Sequence, residues 1–123
     1  MARRVFFSFD YDRDSWRVTQ VRNCWLTKPD REMAGFADAA SWENVKRKGK
    51  EAIQKWIDRE LEGTPVTVVL IGYKTSSNEF VDYEIKQSRS LGKGLFGIYI
   101  HNLKDQDGKT DSKGRNTFEN FVI

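Results

Sequence analysis

Val66-Thr67-Val68-Val69-Leu70-Ile71 is an uncharged, largely β-branched run closed by Gly72. A run of this kind fits a strand covered on both faces, the setting of a parallel sheet. The polar stretch from Tyr73 to Asn78 then carries the chain over the sheet edge. Ser76 with Glu79 three residues on has the form of a capping box, which predicts a helix beginning near Ser77. Within that helix Val81, Ile85, Ser88 and Leu91 recur at helical spacing and define an inward face. Glu84 shares or borders that face. A carboxylate there must be hydrogen-bonded, paired or open to a cleft, because burying it alone is too costly. The plain alternative is a flanking glutamate that swings to solvent or pairs with a nearby Arg or Lys.

Working outward, Arg4-Val5-Phe6-Phe7-Ser8-Phe9 reads as a first, central strand. Asp12 or Asp14 is the candidate cap of the helix after it, whose apolar face is Val18, Val21 and Trp25. Cys24 reads as a small core residue, and Trp16, Trp25, Trp42 and Trp56 as packing aromatics. Pro29 prevents continuation of the helix, Thr27 to Gly35 reads as a loop, and Ala34 to Asp38 as a short second strand. A helix over Trp42 to Leu61, with Ser41 as candidate cap, carries Val45, Gly49, Ala52, Ile53, Trp56, Ile57 and Leu61 down one side. Gly63 and Pro65 stop it. Leu95 to Ile100 reads as another inner strand, with His101 as a structural residue at its end and a polar loop from Asn102 to Asn116. Phe118, Phe121, Val122 and Ile123 form an apolar close that docks on the core or a partner, or marks a chain cut short before its last helix. The sum is one α/β domain over residues 1–123, a sandwich on a parallel sheet of four or five strands joined by right-handed crossovers. One flank stays thin unless a final helix or an oligomer interface covers it.

The chain has 123 residues, 38% hydrophobic and 13% aromatic, which is core material for one domain and not a disordered tail. No apolar run approaches the roughly 20 residues that cross a bilayer, and the N-terminus lacks a signal peptide's apolar region, which points to the cytoplasm. One cysteine excludes an internal disulfide and a clustered cysteine metal site. The net charge of +3, from 21 basic and 18 acidic residues, is mild and spread widely. Lys46-Arg47-Lys48 with Lys50 is the dense basic run, but no recognition motif accompanies it, so direct nucleic-acid binding is not expected.

Candidate chemistry gathers where parallel strands should end: Ser8, Phe9, Asp10 and Tyr11 after the first strand, Gly72, Tyr73, Thr75 and Ser76 after the central one, and His101 and Asn102 after the last. With Glu84 these groups share one face and are expected to line one cleft. There is no Gly-rich dinucleotide fingerprint and no phosphate loop, which argues against a Rossmann dehydrogenase or a nucleoside triphosphatase. Gly72 and Tyr73 stand where a response-regulator receiver would carry its phospho-accepting Asp. Asp105 to Lys109 resembles a calcium loop only superficially, lacking the twelfth-position Glu, and reads as a turn.

Several pieces in order carry a family resemblance: Arg4 to Phe9, Val21-Arg22-Asn23 with Trp25, Thr67 to Gly72, Phe80-Val81-Asp82-Tyr83-Glu84-Ile85, and Gly97 to Ile100 with Lys113-Gly114. Together they resemble the TIR-like family of the bacterial Thoeris anti-phage system. The resemblance implies a flavodoxin-like fold and an enzyme that splits the nicotinamide–ribose bond of NAD, converting the remainder into a cyclic ADP-ribose isomer. That signal would activate a downstream effector. By position it implies Glu84 as the catalytic glutamate, with Phe80 where Trp is commoner in the family. Phe9 and Tyr11 would flank the base or nicotinamide, Ser8 and Asp10 would shape the entrance, and Asn116 would approach the ligand; Tyr73 joins this candidate binding set from its place after the central strand, with a packing or surface aromatic as its plain alternative. No metal is required, and the resemblance leaves room for a phage-derived activator and a homo-oligomer. Its alternative is a non-catalytic TIR-like interaction or scaffold domain, which predicts an occluded cleft.

Overall fold

The computed structural model describes residues 3–26, 31–34 and 39–118. In chain order the elements are β1 (Arg3–Ser8), α1 (Tyr11–Leu26), β2 (Arg31–Ala34), α2 (Ala39–Arg47), α3 (Lys50–Leu61), β3 (Val66–Ile71), a 3-10 turn (Thr75–Ser77), α4 (Glu79–Ser90) and β4 (Gly94–Tyr99). The four strands form one sheet in the order β2-β1-β3-β4, parallel throughout. That is the flavodoxin-like winding, with the chain moving outward from β1 to one side and then crossing to β3 and β4.

β3 holds the middle because all but its first residue is buried. Its registers set β1 against it at Val5–Val66 and Ser8–Val69, and β4 at Val66–Gly94 and Ile71–Tyr99. Alternate side chains point to opposite faces. On one face Phe7 meets Trp25 of α1 edge-on, ring centroids 6.1 Å apart. On the other, Thr67 shares a 2.8 Å hydrogen bond with Ser88 of α4, and Val69 and Ile71 pack with Val81 and Ile85. The α1 face is thin towards β4. There Phe96 and Ile98 are 50% and 43% exposed and border an apolar groove of about 540 Å³.

Several expectations are corrected. The helix predicted over Trp42 to Leu61 is two helices, α2 and α3. Lys48 and Gly49 donate back to Val45 O and Lys46 O, and Gly49 adopts φ +95°, which ends the first helix where a side chain would be strained. Ser41 therefore lies inside α2. The second strand is Arg31–Ala34, within the stretch read as a loop, because pairing with β1 outweighs the weak strand propensity of Arg-Glu-Met-Ala. Residues 35–38 of the predicted strand lie outside the described residues, as do Phe121, Val122 and Ile123. α1 starts at Tyr11, and Asp10 supplies the cap by accepting from Arg13 N, which leaves Asp12 and Asp14 in the first turn. α4 is capped by Asn78, whose side chain accepts from Phe80 N and Val81 N, not by Ser76, which belongs to the 3-10 turn. Leu91 ends α4 and is 61% exposed, not inward. Cys24 is exposed on the groove, Trp16 is 56% exposed, and β4 is the outer strand of the described sheet.

Candidate functional site

Glu84 sits on the inward side of α4 with Val81, Ile85 and Ser88, and only 3% of its surface is exposed. Opposite it, Ser8 ends β1 fully buried, and its hydroxyl donates to Glu84 Oε1 at 2.7 Å. Sheet order makes this contact: β1 lies beside β3, and α4 crosses back over both after leaving β3. Aromatic rings wall the carboxyl in. Phe9 and Tyr11 stack with centroids 4.2 Å apart, Tyr11 meets Trp56 of α3 edge-on at 5.8 Å, and Phe80 and Asn78 close the α4 side. The space left beside Glu84 is about 20 Å³. That holds roughly one water molecule.

Burial sets the electrostatics. Taken out of water, the Glu84 carboxyl is pushed up to about 8, against the opposing pull of the Ser8 hydroxyl and the Lys93 ammonium. Lys93 follows α4, donates to Thr64 Oγ1, and is lowered to about 8 by its own burial, opposed by Glu84. At neutral pH the pair is therefore mainly a protonated acid and a charged amine. A second buried carboxyl, Asp14 in α1, is raised to about 6 by burial and by Asp10, with Arg17 and Arg13 pulling it down. Arg17 ties α1 to the late loop: Nε donates to Leu103 O at 2.8 Å and Nη2 to Lys109 O at 3.1 Å.

Residues 6–105 match the family described as Thoeris protein ThsB, TIR-like domain. The chain belongs to that family. It is also 44% identical over 120 residues to a Bacillus cereus (strain MSX-D12) protein named "Putative cyclic ADP-D-ribose synthase ThsB1". That alignment takes in 97% of this chain and 62% of the relative, so the chain spans under two thirds of the relative's length.

Of the residues that the ThsB resemblance singled out, the fold brings Ser8, Phe9, Tyr11, Phe80 and Glu84 around one cleft. Asp10 stands at the mouth of α1 and caps it. Tyr73 and Asn116 are elsewhere. Tyr73 is 44% exposed beneath the Arg13 guanidinium, and exposed Asn116 accepts from Phe118 N through its side chain. His101 stacks edge-on with Tyr99, and its backbone carbonyl accepts from Asp111 N, a strand-end role. The cleft also recruits Trp56, Ile57 and Asn78, which sequence reading assigned to packing or a turn. The one signal for Trp56 was its place on the inward side of its helix. Among the described residues no three His, Cys, Asp or Glu side chains gather as a metal site needs, and no helix is long and apolar enough to cross a membrane.

Proposed function

We propose that this chain is an NAD-cleaving signal synthase of Thoeris defence, with Glu84 as its catalytic carboxylate. The observation that carries the reading is a carboxyl held at 2.7 Å by a strand-end serine inside an aromatic cleft at the carboxyl ends of parallel strands. The family membership and the relative's printed name support the same reading. In the reaction the nicotinamide–ribose bond breaks with its electron pair leaving on nicotinamide, and the ribose is left oxocarbenium-like. An ionised Glu84 would stabilise that charge and hold the ribose hydroxyls. A nitrogen lone pair of the adenine then closes the ring in place of water, provided the cleft holds both ends and stays dry.

A cleft of about 20 Å³ admits no nicotinamide riboside, and a carboxyl raised to about 8 is mostly neutral at pH 7. On this reading the described state is the resting one. Catalysis requires Trp56, Phe80 or Tyr11 to move aside, as on binding an activator, and water to restore the carboxylate. The product signal then acts on a separate effector.

The second reading is a non-catalytic TIR-like interaction domain, and the occluded cleft is the observation that favours it. Incubation of concentrated protein with NAD, with and without phage lysate, separates the two. Released nicotinamide and a cyclic ADP-ribose isomer with wild type, and neither with Glu84→Gln, are expected. Nicotinamide release undiminished in Glu84→Gln would remove Glu84 from the reaction, and no release under any condition leaves the interaction domain.

A further inference from the structure

Apart from the Glu84 cleft, the turn after β3 and the late loop line a concavity of about 300 Å³. That volume is at the lower end for small-ligand sites, about 300–1,000 Å³. Its charge is one-sided. Lys74 enters from the turn after β3, and Lys113 and Arg115 from the late loop, while among the described residues no carboxylate lines it. Three of the chain's basic side chains thus converge in a protein whose whole net charge is +3. Ser76 and Ser77 add hydroxyls to the rim.

The platform beneath these flexible side chains is fixed. Thr75 is fully buried and its hydroxyl oxygen accepts from Gly72 N at 2.7 Å, which sets the turn. Ser77 donates to Lys74 O through both its amide and its hydroxyl. Across the turn, Gly114 lies so close to the Gly72 and Tyr73 carbonyls that a Cβ there would fall 2.2 Å from Gly72 O. Only glycine permits that approach, and it brings its chain neighbours Lys113 and Arg115 to the turn. The Lys113 ammonium rests 4.5 Å from the centroid of the Tyr99 ring. Lysines serve phosphate groups as point charges, and Lys74 and Lys113 supply two of them at this basin.

We propose that this basin is a binding site for a diphosphate group, as borne by a nucleoside diphosphate or a dinucleotide. It shares the 73–78 turn with the Glu84 cleft, since Ser77 lines one and Asn78 the other. Occupancy would therefore bear directly on the cap of α4.

The test is a backbone-amide NMR titration of the whole chain with inorganic pyrophosphate, ADP and inorganic phosphate at fixed ionic strength. Saturable shifts at residues 73–77 and 113–115, reaching the α4 cap at Asn78, Phe80 and Val81, are expected with pyrophosphate and ADP, and weaker ones with phosphate. Lys74→Ala with Lys113→Ala should weaken pyrophosphate binding at least tenfold while the folded spectrum persists, both positions being exposed. Shifts that grow linearly without saturating, or equal affinity in the double variant, would overturn the proposal. So would a single-stranded oligonucleotide binding there when pyrophosphate does not. The readout needs no turnover, and repeating it in Glu84→Gln keeps its outcome separate from that of the catalytic reading.

Discussion

Replacing Glu84 by Gln should make the protein more stable at pH 8 than wild type and leave it nearly unchanged at pH 5. The amide keeps an oxygen for the Ser8 hydroxyl and nearly the same volume, but it cannot ionise. In wild type the folded carboxyl titrates near 8, against an ordinary value of 4.5 in the unfolded chain. Between those values the folded chain binds the proton and the unfolded chain has lost it. The stability contributed is whole below pH 4.5 and drains away as pH rises through the folded value. One proton sets a slope of about 1.4 kcal/mol per pH unit, so the shift is worth at most about 5 kcal/mol. Local opening that hydrates the carboxylate keeps the loss between pH 5 and 8 below that ceiling. Asp14, raised to about 6, adds loss of the same sign below that pH in both proteins, and Lys93, lowered to about 8, acts with opposite sign above it. Urea unfolding of both proteins at pH 5, 6, 7 and 8 reads the effect directly. Parallel curves would refute the reasoning, because they would mean that Glu84 is already hydrated and ionised in the folded state.

Ser8→Ala removes the hydroxyl that favours the ionised carboxylate. It should raise the Glu84 titration further and cost roughly 1 kcal/mol, read by carbon NMR of the glutamate carboxyl and by urea midpoint. Arg17→Leu strips three partners at once, leaving Asp14 buried without its cation and the Leu103 and Lys109 carbonyls without this donor. A loss of about 3–5 kcal/mol is expected, with faster amide exchange over residues 103–111. A variant within 1 kcal/mol of wild type would show that the late loop is held by other means.

The parallel sheet was legible because β3 is a short apolar run without charge and β1 carries Val5-Phe6-Phe7 behind its two arginines, and the spacing between them suits helical crossovers. Glu84 was legible as a problem, a charge on an apolar helix face. Its solution was not, because Ser8 stands 76 positions away and only the sheet order brings the two together. Local competition decided the misread boundaries. Asn78 outcompetes Ser76 as a cap because its side chain reaches two orphaned amides at once, and Gly49 breaks a helical pattern that side-chain periodicity alone would carry through. β2 had no strand signature of its own and exists through β1. Tyr73 was named from its place after a strand and Asn116 from the family resemblance, and both lie exposed, outside the residues that line the Glu84 cleft. Cys24 and Leu91 followed the apolar pattern of their helices but fall at positions the sheet does not cover.

Closure of the cleft and neutrality of Glu84 have one cause. The rings of Phe9, Tyr11, Trp56 and Phe80 leave room for about one water, and that dryness raises the carboxyl to about 8. On the proposed reading, admitting a ribose supplies both missing conditions together, since the movement that makes space also lets solvent reach the carboxyl and lower its pKa. On that reading the closed protein is inert twice over, sterically and by protonation, and raising the pH removes only the second block. On the proposed reading, alkaline pH alone should release little nicotinamide, whereas loosening the ring wall with Phe80→Ala should release it without an activator. If that variant opened the cleft and stayed silent with NAD, the carboxyl would be a structural acid and the interaction-domain reading would stand.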